Sequence, residues 1–420
     1  MLEKKYLQYE KNIRKYVKER VGTVLKQPRS FIRYPFIDPG SVYDGNVWDW
    51  DTFWSVYALL GMMEEFDQEL QEKILIHARG NVQNFLDHQL EDGYIPMMIE
   101  VKDWPEPYLN MKHKEGIIMN MHKPFLCQQI CLISNYTGDY SWIKGDFEKL
   151  MKYFSCYDQY YFNRNCELYV WADDIMIGMD NDPATFGRPK FSTANIYLNS
   201  FMVREMGCMA EIAHILEKKE EEELFRKKRE KLIAAIQREC WDARDQFFYS
   251  ADVDICTRKF EWFHEGLGVF WKTLPIKIQV WSGFIPMWAG FATQEQAAAL
   301  AEHWKREETF GSPYGLATLA KDEKMYCIKA TNNPSDWLGP IWVVANYVVF
   351  QGLLKYGLRE DAEELCRRTL RLLGEDLEKT GDLHEYYDPV TGQPVINGGF
   401  LNWNILAVNM VGDLYGKNAR

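Results

Sequence analysis

The sequence predicts an all-α fold, an (α/α)6 toroid of six helical hairpins in two concentric rings. Three observations predict it. Helical periodicity dominates the chain, and no series of alternating strands appears. About twelve helical stretches can be marked, alternating between a one-sided apolar stripe and an apolar surface nearly all round. The connections alternate as well, tight in one sense and long in the other.

The stretches run in order from 3–23, 52–65 and 68–88 through 124–137, 141–160, 193–216 and 218–238 to 282–291, 293–305, 340–356, 359–379 and 403–414. The odd-numbered ones, such as QELQEKILIHARGNVQNFLDHQ and LREDAEELCRRTLRLLGEDLEK, carry one charged face and belong on an outer surface. The like-charge run KKEEEE at 218–223 marks such a solvated face. The even-numbered ones include WSVYALLGMM, PFLCQQICLI, FIPMWAGFA, IWVVANYVVFQGLL and NILAVNMVG, apolar as a helix enclosed by others must be. Two separate bundles would not predict so regular an alternation, so residues 1–420 are expected to form a single barrel domain.

Loop lengths orient this barrel. Even-to-odd turns are short, as at 66–68 and 137–141, whereas the odd-to-even segments 39–51, 90–123, 161–192, 239–281, 306–339 and 380–402 are long. In an up-down barrel all six long loops emerge at one end, and loops of that length in a compact domain usually carry function. One mouth is expected.

Composition excludes several partners. A formal net charge of −12 argues against nucleic acid or an anionic membrane surface. The N-terminal segment MLEKKYLQYEKNIRKYVKER is too charged for a leader, and no apolar run reaches the roughly 18 residues of a membrane span. The nine cysteines form no C-x-x-C pair, so neither a disulfide framework nor a zinc knuckle is indicated. A cytoplasmic protein without metal or cofactor is the expectation, its state of oligomerisation left open.

The mouth loops hold the chemistry. WADDIMIGMDNDPATFGRPK (171–190) crowds Asp173, Asp174, Asp180 and Asp182 together, and neighbouring negative charge raises a carboxyl pKa. YDGNVWDWDTFW (43–54) brings Tyr43, Trp48, Trp50 and Asp51, although Asp51 stands just before a helix and could serve as its N-cap. HKPFLCQQ (122–129) contributes His122, Lys123 and Gln128; NNPSDWLGPIW (332–342) contributes Trp337. GDLHEYYDPVTG and GGFLNW bring His384, Glu385, Tyr386 and Trp403. Two carboxylates facing across one pocket, one protonated and one ionised, suit glycosidic-bond hydrolysis, with indole rings to stack on a sugar. The D-N-D triplet at 180–182 lacks the glycine and glutamate of a calcium loop, and no nucleophile-elbow, zinc or dinucleotide motif is present.

WDWDTFW, GMDNDP, DWLGPIWVVANY and HEYYDPVTG, in this order across residues 43–403, resemble glycoside hydrolase family 63. The resemblance implies an inverting mechanism with Asp180 as general acid and Glu385 as general base. It implies Asp51, Trp48 and Trp50 at the terminal sugar, and Trp337 and Trp403 as pocket lining. Two departures bear on specificity: Met176 and Ile177 precede Gly178 where the family often has Glu-Ser, and Leu338 stands where many members have arginine. HKPFLCQQ and DNDPATFGRP are most similar to the mannosylglycerate and glucosylglycerate hydrolases, whose leaving group bears a carboxylate. Arg188, Lys123 and Lys190 are the cationic candidates for meeting it, with Tyr43 and Gln128 as neutral partners.

The expected function is therefore inverting hydrolysis of a small α-glucoside or α-mannoside, 2-O-α-glycosylglycerate first. A neutral trehalose- or kojibiose-like disaccharide is the alternative. Two other classes remain: a sugar epimerase using His122 and His384, and a sugar-binding protein without catalysis.

Overall fold

A computed structural model describes residues 3–255, 271–329 and 335–415. The remainder of the fourth and fifth long loops, including Asn332 to Pro334 of the motif quoted above, lies outside the described residues. Twelve helices form the (α/α)6 toroid. They are α1 (Lys4–Val24), α2 (Asp49–Leu60), α3 (Gln68–Asp87), α4 (Leu126–Thr137), α5 (Phe147–Tyr160) and α6 (Ile196–Ile215). The second half comprises α7 (Lys219–Glu239), α8 (Ile285–Ala289), α9 (Gln294–Lys305), α10 (Val343–Lys355), α11 (Arg359–Thr380) and α12 (Leu406–Leu414).

The inner ring is the even-numbered set. Each of α2, α4, α6, α8, α10 and α12 packs against the next, and the 3-10 turn Asn402–Ile405 before α12 packs back onto α2 to close the circle. Outside, α1 packs along α11, joining the two ends of the chain. Aromatic rings plug the barrel axis: Trp50 meets Trp54, Phe125, Tyr197 and Phe201, and Phe201 meets Trp288. Most of the unusual tryptophan content is thus core, with Trp54, Trp281, Trp304, Trp337 and Trp342 all fully buried. Among the described residues no helix is long and apolar enough to cross a membrane.

The structure departs from the expected elements in three places. Helix α8 is only five residues long, preceded by the 3-10 turn Trp281–Phe284, with Pro286 in its first turn and Gly290 left-handed at its C-cap. A short helix, Tyr108–Lys114, stands within the second mouth loop. Small antiparallel pairs follow several outer helices, as at Phe162–Asn163 with Leu168–Tyr169 and Trp241–Asp242 with Phe247–Phe248. Two-residue strands are too short for alternation to register in a sequence.

Close packing of α1 on α11 depends on Gly374, where an added Cβ would lie 2.2 Å from the Tyr9 ring. Helix propensity favours alanine there by about 1 kcal/mol, but overpacking of a tight contact costs about 1–3 kcal/mol. The overlap is severe enough that packing wins. Gly374→Ala is expected to lower the urea midpoint, whereas Gly22→Ala in α1, with no atom within 4 Å of the new carbon, should raise it slightly or leave it unchanged.

Candidate active site

The long loops converge as the loop lengths require. Their pocket is lined by Tyr43, Trp48, Asp49, Trp50 and Asp51 from the first loop and the start of α2, and by Met97 and Lys123 from the second. Gly178 and Asp180 come from the third loop, Ser335, Trp337 and Trp342 from the fifth, and Glu385 and Trp403 from the sixth.

Asp180 is held by its neighbours in sequence. Asn181 donates through Nδ2 to the Asp336 carboxylate (3.0 Å) and accepts the Trp337 backbone N–H (2.7 Å), tying the third loop to the fifth. Asp182 is fully buried and accepts the Ala184 N–H (3.0 Å) and the Asn195 side-chain amide (2.6 Å), forming an Asx turn. Gly178 has φ +89°, and a Cβ there would come within 2.9 Å of the Tyr197 hydroxyl, so only glycine fits. Asp173 pairs with Lys190 (2.9 Å) and Asp174 accepts the Gly187 N–H (2.7 Å), which places both away from the chemistry.

Glu385 sits on a hairpin, His384–Tyr387 paired with Pro394–Gly398, and is 3% exposed. Its carboxylate accepts the Tyr43 hydroxyl (2.9 Å) and the Asn397 side-chain amide. Behind it, Asp376 of α11 accepts from His384 Nδ1 and from the Tyr387 hydroxyl, both at 2.9 Å, fixing the two ends of the strand.

Electrostatics differ from the sequence expectation in cause. The Asp180 carboxyl is raised, but burial does it; the Ser335 hydroxyl bond and the Lys123 charge pull the other way, and the other three aspartates of the crowd play no part. Burial likewise pushes Glu385 up to about 7 against the Asn397 and Tyr43 hydrogen bonds, with the Asp180 charge adding to the rise. Asp51 is raised well above the carboxylate range by burial and then by Glu385. It does not cap α2, which begins at Asp49; its carboxylate accepts from Asn402 Nδ2 (2.8 Å).

Several expected ligands lie elsewhere. Gln128 is buried below the pocket, donating to the carbonyls of Pro124 (2.6 Å) and Phe201 (3.3 Å) and accepting from Arg204. Arg188 pairs with Asp252 outside the pocket. His122 is buried with Nδ1 on the Lys123 carbonyl (2.7 Å), and His384 faces Asp376, so neither histidine lines the pocket. Tyr386 stacks on Trp342 (4.7 Å) rather than opening into it. Lys123 does line it, as the one cation to do so among the described residues, but its ammonium is ion-paired with Asp49 (2.8 Å).

Sequence reasoning gave no role to Asp49, Trp342, Asn397 and Asn402. Trp342 lies 4.0 Å from Trp337, ring to ring and nearly parallel, and its place in the quoted IWVVANY run was the available signal. For Asn397 and Asn402 the signal was proximity to GGFLNW, which says nothing of where an amide points.

A family model described as the mannosylglycerate hydrolase MGH1-like glycoside hydrolase domain matches residues 46–403. The chain is 31% identical over 125 residues to mannosylglycerate hydrolase MGH1 of Selaginella moellendorffii, covering 29% of this chain and 22% of that protein. It is 24% identical over 295 residues to a probable mannosyl-oligosaccharide glucosidase of Schizosaccharomyces pombe, covering 66% and 33%. The matched segments thus span a third or less of these curated relatives. Among solved structures, the GH63 mannosylglycerate hydrolase from Thermus thermophilus in complex with Tris and D-glycerate aligns with TM-score 0.69 at 19% identity, over 94% of this chain and 99% of that one. Neutral trehalase Nth1 from Saccharomyces cerevisiae aligns with TM-score 0.61 at 17% identity, over 90% and 74%. These likenesses are to the fold, while the family model reaches from the first mouth loop to Trp403. The chain belongs to the MGH1-like glycoside hydrolase domain family.

Proposed function

We propose that this protein is an inverting α-glycosidase acting on a short α-glucoside or α-mannoside. The observation that carries the reading is the placement of Asp180 and Glu385, from different loops, in one indole-lined pocket with both carboxyls raised. Asp180 delivers its proton to the glycosidic oxygen as the bond from C1 to that oxygen breaks. Glu385 accepts a proton from a water whose oxygen bonds to C1 from the opposite face. One water is consumed, and the two carboxyls exchange protonation states. Trp48 and Trp50 line the pocket, which suits their indole rings to the apolar faces of a sugar.

The favoured substrate is a 2-O-α-glycosylglycerate, supported by the family match and by the alignment with a hydrolase bound to D-glycerate. A second reading, a neutral α-linked disaccharide, is favoured by one observation. The pocket's cation Lys123 is already paired with Asp49, and Arg188 with Asp252.

Proton NMR of fresh mixtures with glucosylglycerate, mannosylglycerate and α-linked disaccharides tests both. A β-anomer is expected first, from a glycerate glycoside; an α-anomer first would rule out the assigned acid–base pair. Asp180→Asn and Glu385→Gln should each lower kcat by about 100-fold to 10,000-fold, the usual range for a general acid or base.

The pH profile follows with a definite sign. The base must be ionised, so kcat/KM should fall as pH drops through about 7. Tyr43 donates to the ionised Glu385 and favours it. Tyr43→Phe should therefore move the acid limb upward by about one pH unit, since a hydrogen bond to a charged group contributes about 1.5–3 kcal/mol. An acid limb that stays in place would remove Glu385 as the titrating base.

A further inference from the structure

A cleft of about 560 Å³ opens at the end of the barrel away from the mouth, between α6, α7 and the C-terminal ends of α8 and α10. Three cations meet there, Arg204 from α6, Arg229 from α7 and Lys355 from α10. Among the described residues none of them forms an ion pair. Arg204 lies 3.9 Å over the Trp288 ring and donates through Nε to Gln128 (3.1 Å). Lys355 donates to the Trp288 carbonyl (2.9 Å). That carbonyl, which also accepts from Arg204 Nη1 (3.5 Å), belongs to the last turn of α8, so one peptide oxygen serves two of the three cations.

Lys355 is exposed as a residue, yet desolvation of its ammonium, together with the charges of Arg204 and Arg229, pushes it down to about 8, and no carboxylate counters them. Two glutamates line the cleft. Glu211 is occupied by Asn135 and the Tyr140 hydroxyl, both at 2.9 Å, and Glu230 is exposed. Arg226 and His214 at the rim already share Glu222. Three cations against two lining carboxylates, neither ion-paired with them among the described residues, leave the cleft net positive, and here that happens in a chain of net charge −12.

We propose that this cleft is an anion site for a dianionic phosphate group, free or carried on a small molecule, with Arg204, Arg229 and Lys355 as its ligands. Three convergent cations exceed what a singly charged carboxylate needs, and the guanidinium fork matches pairs of phosphate oxygens. The cleft has room beside a phosphate for a sugar-sized group. The site is independent of the reaction at the mouth.

Calorimetric titration of the full chain at pH 7 and fixed ionic strength, with inorganic phosphate and then glucose 6-phosphate, tests this. Saturable binding is expected, weakened about tenfold or more by Arg229→Gln and by Lys355→Gln, as loss of a charge-assisted bond requires. Lys355→Arg should retain it. Arg226→Gln should not matter, because Glu222 already holds that guanidinium. Arg229 has no hydrogen-bond partner among the described residues, so its loss leaves the fold intact, which circular dichroism checks. Tighter binding of the ester would make a phosphorylated metabolite the occupant; equal affinities would make it free phosphate. No saturable binding, or binding that Arg229→Gln leaves untouched, would overturn the site.

Discussion

The buried ion pair between Asp49 and Lys123 ties the mouth of this barrel together. Asp49 begins α2, and its carboxylate accepts the Trp50 N–H (2.5 Å), the Lys123 N–H (2.6 Å) and the Lys123 ammonium (2.8 Å). One side chain therefore locks the start of α2 to the turn that enters α4. The Lys123 carbonyl is held in turn by the Tyr153 hydroxyl (2.9 Å) and His122 Nδ1 (2.7 Å). Both charges are essentially without solvent, and removing one partner of such a pair typically costs about 3–5 kcal/mol because the other is stranded. The ammonium so fixed opposes the rise of the Asp51 and Asp180 carboxyls.

Around that anchor the pocket is built from loops that would not hold their shape alone. Asn181 joins the third loop to the fifth, Asn402 reaches Asp51, and Asp376 holds the Glu385 strand against α11. Each is a buried or part-buried polar bond, and leaving such groups unmet would be expensive. The indoles of Trp337 and Trp342 and the ring of Tyr386 stack in succession behind the carboxylates. Burial then sets the pKa values, with hydrogen bonds and Lys123 trimming them. The aspartate crowd that drew attention in the sequence divides into one pocket carboxyl, one buried turn-former and two residues tied up at the rim.

Much of this was legible in the residues. All-round apolar helices such as IWVVANYVVFQGLL can only be stable when enclosed, and alternating them with one-sided helices leaves a double ring as the packing solution. Helix α8 and the two-residue strands were less legible, since Pro286, Gly290 and very short pairings interrupt periodicity without announcing what replaces it. Within the pocket, Asp180 and Glu385 stood in recognisable motifs, whereas Asn397 and Asn402 did not. Gln128 and Arg188 shared motifs with pocket residues, yet helical geometry turns Gln128 below the floor and Asp252 draws Arg188 aside.

The sequence by itself determined the all-α barrel, the end of it at which the long loops gather, and which loops carry carboxylates beside aromatic residues. Those follow from local periodicity and connection length, properties a chain carries wherever it folds. Only the tertiary structure decided which charges are spent on one another. That Lys123 answers Asp49, that Tyr43 and Asn397 reach Glu385, and that Arg204, Arg229 and Lys355 share a cleft are contacts between distant parts of the chain. Their energies depend on burial and on the direction of each side chain, and neither exists until the rings close.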